Sequence, residues 1–202
     1  MFIRSVRLAL FCALALPLSA PASAQLGQSA GYKFLEAVKD AKGEEVTEAL
    51  NKIGSTIVNT RDFSTRETAL HIVAKRGDAV YTRFILQKGG DPNLRDRDGN
   101  SPLMVAVTLG NAELVPILID GKANVNLAND SGETPLIRAV QRRSTQMIRD
   151  LLAAGADPDQ ADSIAGKSAR AYANEDVRTP ALAKMFADVP KRERRGVSGP
   201  KL

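Results

Sequence analysis

Thr68-Ala69-Leu70-His71-Ile72-Val73-Ala74, Ser101-Pro102-Leu103-Met104-Val105-Ala106-Val107 and Thr134-Pro135-Leu136-Ile137-Arg138-Ala139-Val140 are three versions of one segment. Leu70, Leu103 and Leu136 stand 33 residues apart, and Asn93, Asn126 and Asp159 keep the same interval. Repeats of this period form stacked units, each burying an apolar face on its neighbours. The repeat therefore predicts a scaffold and makes recognition, rather than a reaction, the first functional question.

Each copy is legible as helix, tight turn, helix, long turn. Thr68, Ser101, Thr134 and Ser168 carry hydroxyls suited to accept from free backbone N–H groups at a helix start. Pro102 and Pro135 follow at the first helical position, where a missing N–H does no harm. Gly77 and Gly110 are placed to end the first helix in a left-handed conformation. Second apolar helices are predicted over 80–86, 114–119 and 147–152. Arg143 stands where the other copies have glycine, at a cost of about 1 kcal/mol if the left-handed turn is kept.

These segments resemble ankyrin repeats, whose pattern is Thr-Pro-Leu-His-x-Ala on a 33-residue period. Supporting motifs are Asp98-Gly99-Asn100-Ser101-Pro102-Leu103, Asn124-Val125-Asn126, and Leu151-Leu152-Ala153-Ala154-Gly155-Ala156-Asp157. Departures are Ala69 in place of proline, and Met104 and Ile137 in place of histidine. The resemblance implies an all-α solenoid of helix-turn-helix units with projecting turns. Its repeats fall at 63–95, 96–128 and 129–162. Atypical capping units are expected at 31–62 and 163–189, since each terminal unit turns one face to water. In the first, Phe34 to Val38, Gly43, Val46 and Leu50 are the recognisable residues; in the last, Gly166-Lys167-Ser168-Ala169 opens a helix and a short one over 180–187 closes the stack.

Residues 1–24 read as a cleaved export signal, followed by a short linker at 25–30. Arg4 and Arg7 supply the positive start, residues 8–18 the apolar run, and Ala22-Ser23-Ala24 the small-residue cleavage site. The run is shorter than the roughly 20 residues a membrane helix needs. The sole cysteine, Cys12, lies inside it, so the mature chain would have no disulfide. The alanine-rich end resembles a bacterial signal, and a periplasmic location is expected.

The chain has 28 basic and 23 acidic residues, a net charge of +5. Two of the bases lie in the leader. The tail at 190–202 holds Lys191, Arg192, Arg194, Arg195 and Lys201 against Glu193. The body between is thus close to neutral, without the overall basic footprint of a nucleic-acid binder. The tail is expected to be disordered, offering at most weak electrostatic contact with an anionic envelope surface.

Catalytic signals are few. His71 is the only histidine, and the resemblance gives that position a structural hydrogen-bonding role. One histidine and no mature cysteine leave a zinc site or a histidine-based triad without its groups. Asp157, Asp159 and Asp162 suggest an acidic cation cluster, but no EF-hand loop is present. No enzyme activity and no cofactor are expected.

In the resembled family, partners lie against the projecting turns and the exposed side of the first helices. Carried over by register, the expected partner-binding residues are Lys75, Arg76, Arg97, Asn100, Thr108, Leu109, Glu133, Gln141 and Arg142. Leu109 would be an apolar anchor among arginines, a common hot-spot composition. The arginines predict a partner with a small apolar patch bordered by acidic groups. The expected function is a periplasmic, monomeric protein–protein interaction module, the alternative an accessory factor protecting an envelope stress or detoxification enzyme.

Overall fold

The computed structural model describes residues 29–53, 55–187 and 189–190. The expected signal peptide, most of the linker and nearly all of the basic tail lie outside the described residues. Among the described residues ten α-helices run in pairs: α1 Ala30–Lys39 and α2 Gly43–Ile53; α3 Ala69–Arg76 and α4 Ala79–Gln87; α5 Pro102–Leu109 and α6 Leu114–Asp120; α7 Pro135–Gln141 and α8 Thr145–Ala153; α9 Ala169–Glu175 and α10 Ala181–Met185. A 3-10 turn, Ser55–Asn59, follows α2. First helices pack on first helices in the order α1, α3, α5, α7, α9, and α4, α6 and α8 form a second row behind them.

Local chemistry sets these boundaries. Ser101 Oγ accepts from Met104 N (3.2 Å), Thr134 Oγ1 from Ile137 N (3.2 Å) and Ser168 Oγ from Ala171 N (3.3 Å). Each hydroxyl satisfies a donor that the helix start leaves free. Gly77 and Gly110 close α3 and α5 at φ 73° and 85°. Arg143 adopts φ 57° at the corresponding turn. Its guanidinium donates to Asp176 Oδ2 in the closing unit (2.6 Å), so the strained residue also ties two units together. In the first unit the left-handed residue is Ala41 (φ 56°), two positions before Gly43, which instead opens α2.

The repeat-defining leucines fill the stack. Leu70, Leu103 and Leu136 are buried, as are Met104 and Ile137, which occupy the histidine position of their copies. Buried side chains fall into two groups that meet around α3 and α4: one runs from Phe34 to Ile85, the other from Ala74 to Phe186. Each unit therefore packs mainly against its immediate neighbours.

Polar ladders join the units. Asn59 accepts from Asp91 N (2.8 Å) and donates to Gly89 O (3.1 Å). Asn93 does the same with Asn124 N (2.7 Å) and Lys122 O (3.1 Å), and Asn126 with Asp157 N (2.7 Å) and Gly155 O (3.3 Å). One side chain thus satisfies a donor and an acceptor in the next unit's loop, which explains its fixed spacing. At Asp159 the ladder ends differently: its carboxylate accepts from Arg170 Nε (2.8 Å) and Nη2 (3.1 Å). Arg170 also donates to Phe186 O (2.6 Å) and Val189 O (3.0 Å), fastening the C-terminal segment.

Candidate interaction groove

The long turns are built around an acceptor side chain at their start. Asp62 accepts from Ser64 N and Thr65 N, Asp96 from Asp98 N and Asn100 N, Asn129 from Ser131 N and Glu133 N, and Asp162 from Ile164 N, Ala165 N and Gly166 N. This is the Asx-turn arrangement, in which a short side chain mimics a backbone acceptor. The turns then hydrogen-bond edge to edge: Arg97 N to Thr65 O (2.9 Å), Asp130 N to Asp98 O (3.2 Å) and Ser163 N to Ser131 O (2.9 Å). A Cβ on Gly132 would come within 2.6 Å of Ser163 N, so this close stacking needs glycine there.

At Asp62 the same hydrogen bonds also set the acidity of the side chain. The Ser64 hydroxyl and the Thr65 and Ser64 amides, helped by Lys39, hold the Asp62 carboxyl far below the usual carboxylate range despite partial desolvation. His71 links a first helix to the next turn. Its Nδ1 accepts from Thr68 N (3.1 Å), and its Nε2 lies 3.0 Å from Asn100 O. The acceptor at Nδ1 places the proton on Nε2, which donates to the carbonyl. Burial lowers the imidazole pKa, keeping the ring neutral in this bridge.

Between the second and third turns and the helices α3, α5 and α7 lies a groove of about 550 Å³. Of the residues expected to meet a partner, Lys75, Arg97, Asn100, Thr108, Leu109 and Glu133 line it. Leu109 is the exposed apolar residue of this wall, at 50% of its full accessibility. Lys75 is ion-paired with Glu67, and Arg138 with Glu133. Asn100 receives a bond from Asn129 (3.3 Å) and donates to Asp96 (3.3 Å), which fixes the floor of the turn.

Arg76, Gln141 and Arg142 are outside the lining. Arg76 donates to Val38 O (2.8 Å), pairs with Asp78 (3.0 Å) and lies over the Tyr81 ring (5.1 Å). Arg142 donates to Thr108 O (2.7 Å), and Gln141 to Glu133 Oε1 (3.2 Å). Both arginines donate to last-turn carbonyls of the preceding first helix, a use that spacing alone did not signal. Asn111 does the equivalent job between the second and first copies, donating to Ala74 O (2.8 Å).

The expected arginine rim is thereby reduced to Arg97. The groove carries the carboxylates of Glu67, Asp96, Asp98, Asp130 and Glu133 against Lys75, Arg97 and Arg138, an acidic balance. Among the described residues no three His, Cys, Asp or Glu side chains converge as a metal site. Asp162 belongs to its turn, and its second oxygen accepts from the Tyr172 hydroxyl (2.8 Å). No helix among the described residues is long and apolar enough to cross a membrane.

Stacked helical pairs, projecting turns bonded edge to edge and a groove between turns and first helices define a repeat-type interaction scaffold. The sequence profile of ankyrin repeats (three copies) matches residues 34–129 and 70–162. The chain belongs to the ankyrin-repeat family, a fold of protein–protein interaction modules that is typically non-catalytic. It is 33% identical over 125 residues to the E3 ubiquitin-protein ligase KEG of Arabidopsis thaliana, covering 60% of this chain and 7% of that protein. It is 32% identical over 139 residues to neurogenic locus notch homolog protein 1 of Danio rerio, covering 68% and 6%. With protein phosphatase 1 regulatory subunit 12A of Mus musculus it shares 36% identity over 64 residues, covering 32% and 6%. The matched stretch is thus less than a tenth of each relative's length.

Proposed function

We propose that this protein is an exported, non-catalytic module that holds a segment of a partner protein in the groove between its second and third turns. The observation that carries this reading is the half-exposed Leu109, set in a wall of charged side chains in which Lys75 and Arg138 are held by Glu67 and Glu133. An apolar side chain left in water inside a polar rim is the usual anatomy of an interface centre. The acidic balance of the groove favours a partner segment with an apolar side chain flanked by cationic or amide donors. That reverses the charge of the partner expected from the arginines alone.

Capture from periplasmic extract tests the reading. Leu109→Asp should lose at least about 2 kcal/mol of binding if the residue is a central anchor, with the helical circular dichroism unchanged. Capture undiminished in the folded variant would move the interface off this groove. A captured enzyme whose activity changes on binding would make the module an accessory factor rather than a scaffold. Export rests on the tripartite N-terminus. The fractionated protein should have an intact mass beginning at Gln25, and a product retaining residues 1–24 in the cytoplasm would refute it.

A further inference from the structure

A second pocket lies on the turns, between the first two repeats, and its chemistry is opposite to that of the groove. It has a volume of about 330 Å³ and is lined by four arginines, Arg61, Arg66, Arg95 and Arg97, with Asp96 and Asp130. The Asp96 carboxylate already accepts from the backbone of its own turn. Asp130 is matched by Arg95 (2.7 Å), which also donates to Gly99 O (2.8 Å). Arg61 donates to Arg95 O, and its Nε is buried without an acceptor among the described residues. Arg66 and Arg97 are exposed, and neither guanidinium has an ion-pair partner among the described residues. Three of the four positive charges are therefore not neutralised by a neighbouring carboxylate.

The backbone adds an independent observation. Arg66 sits two residues before the N-cap Thr68 with φ 60°. The equivalent positions in the other turns are Gly99, Gly132 and Gly166, at φ 77°, 74° and 65°. Three turns use the residue that tolerates this conformation, and the fourth uses an arginine that does not. Strain held at one copy of a repeated element points to a use for the side chain there. The strained residue is one of the three cations of the pocket without a carboxylate partner among the described residues.

We propose that this pocket binds a phosphate group. Guanidinium groups are planar, permanently charged and able to give paired N–H bonds to tetrahedral oxyanions. A pocket of this size admits a phosphate and the first atoms attached to it. The same chemistry is offered by a free phosphate compound and by an anionic lipid headgroup at the envelope surface. Arg66 and Arg97 would contact the oxyanion, while Arg61, held on the Arg95 carbonyl, adds a fixed positive charge behind them.

The full chain would be titrated calorimetrically with inorganic phosphate and pyrophosphate at constant ionic strength, against chloride. In parallel it would be sedimented with phosphatidylcholine vesicles with and without phosphatidylglycerol. The informative variant is Arg66→Gly, since it restores the residue of the other turns and should fold at least as well as the parent. Saturable binding is expected, weakened about tenfold by Arg66→Gly and further by adding Arg97→Ala, as loss of charge-assisted bonds implies. Binding of free anion alone identifies a soluble source; arginine-dependent sedimentation with phosphatidylglycerol identifies the headgroup. Absence of both up to about 10 mM, where even millimolar affinities would show, would overturn the proposal. So would binding that is unchanged in the folded double variant.

Discussion

Leu103→Ala and Leu136→Ala are each expected to lower the unfolding free energy by about 2–5 kcal/mol. Both leucines are fully buried in first helices that have a neighbour on either side. Truncation removes transfer free energy and leaves a cavity that α3, α5, α7 and α9 cannot readily collapse into, because each is held by turn-to-turn bonds and side-chain ladders. In a stack each unit contacts mainly its immediate neighbours, so the loss falls on one pair of interfaces. Urea melts followed by helical circular dichroism should therefore show a lower midpoint with reduced cooperativity. Wild-type midpoints in both variants would refute this packing register.

Asp162→Ala is expected to cost about 2–4 kcal/mol, a loss on the scale of several bonds to a charged acceptor. The carboxylate is buried and accepts from three backbone N–H groups and from the Tyr172 hydroxyl. Burial alone would push its pKa up, but the Tyr172 hydroxyl and the amides of Ala165, Ile164 and Gly166 outweigh it and hold the carboxyl below the usual range. The unfolded chain then binds this proton more readily than the folded one. Its stabilisation is full above an ordinary carboxylate pKa of about 4, and is lost as pH falls from there through the lower folded value. Thermal melts at pH 7 and in mild acid should show the wild type losing stability across that window. Asp162→Asn, which keeps acceptor capacity without the charge, should lose less than Asp162→Ala at pH 7. Equal stability of Asp162→Ala and wild type would mean that the closing turn is not held by this residue.

The parts of this structure that repeat were readable before it was seen. The leucines, the N-cap hydroxyls of Thr68, Ser101 and Thr134 and the Asn93, Asn126 and Asp159 series each recur at 33 residues because each performs a like task in successive units. The acceptors that start the turns, Asp62, Asp96, Asn129 and Asp162, share the rhythm without standing out as a series. Aspartate and asparagine are common in any loop, and one interval is 34. Arg76 and Arg142 occupy helix positions that face a partner in the resembled family, but an arginine is long enough to fold back on the preceding unit's carbonyls. Spacing gives the position of a Cα and not the direction of a flexible side chain. The four-arginine pocket was hidden for a different reason. Its members come from two turns and the segments leading into them, and only turn stacking brings them together.

The central claim, that the groove around Leu109 is where a partner is held, is tested most directly by site-specific photocrosslinking in the native compartment. A photoreactive residue at Leu109 would be compared with one at Val80, which is 73% exposed on the outer helix α4. The structure and its proposed function predict a discrete adduct from position 109 that is competed by excess unmodified protein, and none from position 80. An adduct from position 80 with none from position 109 would contradict the claim.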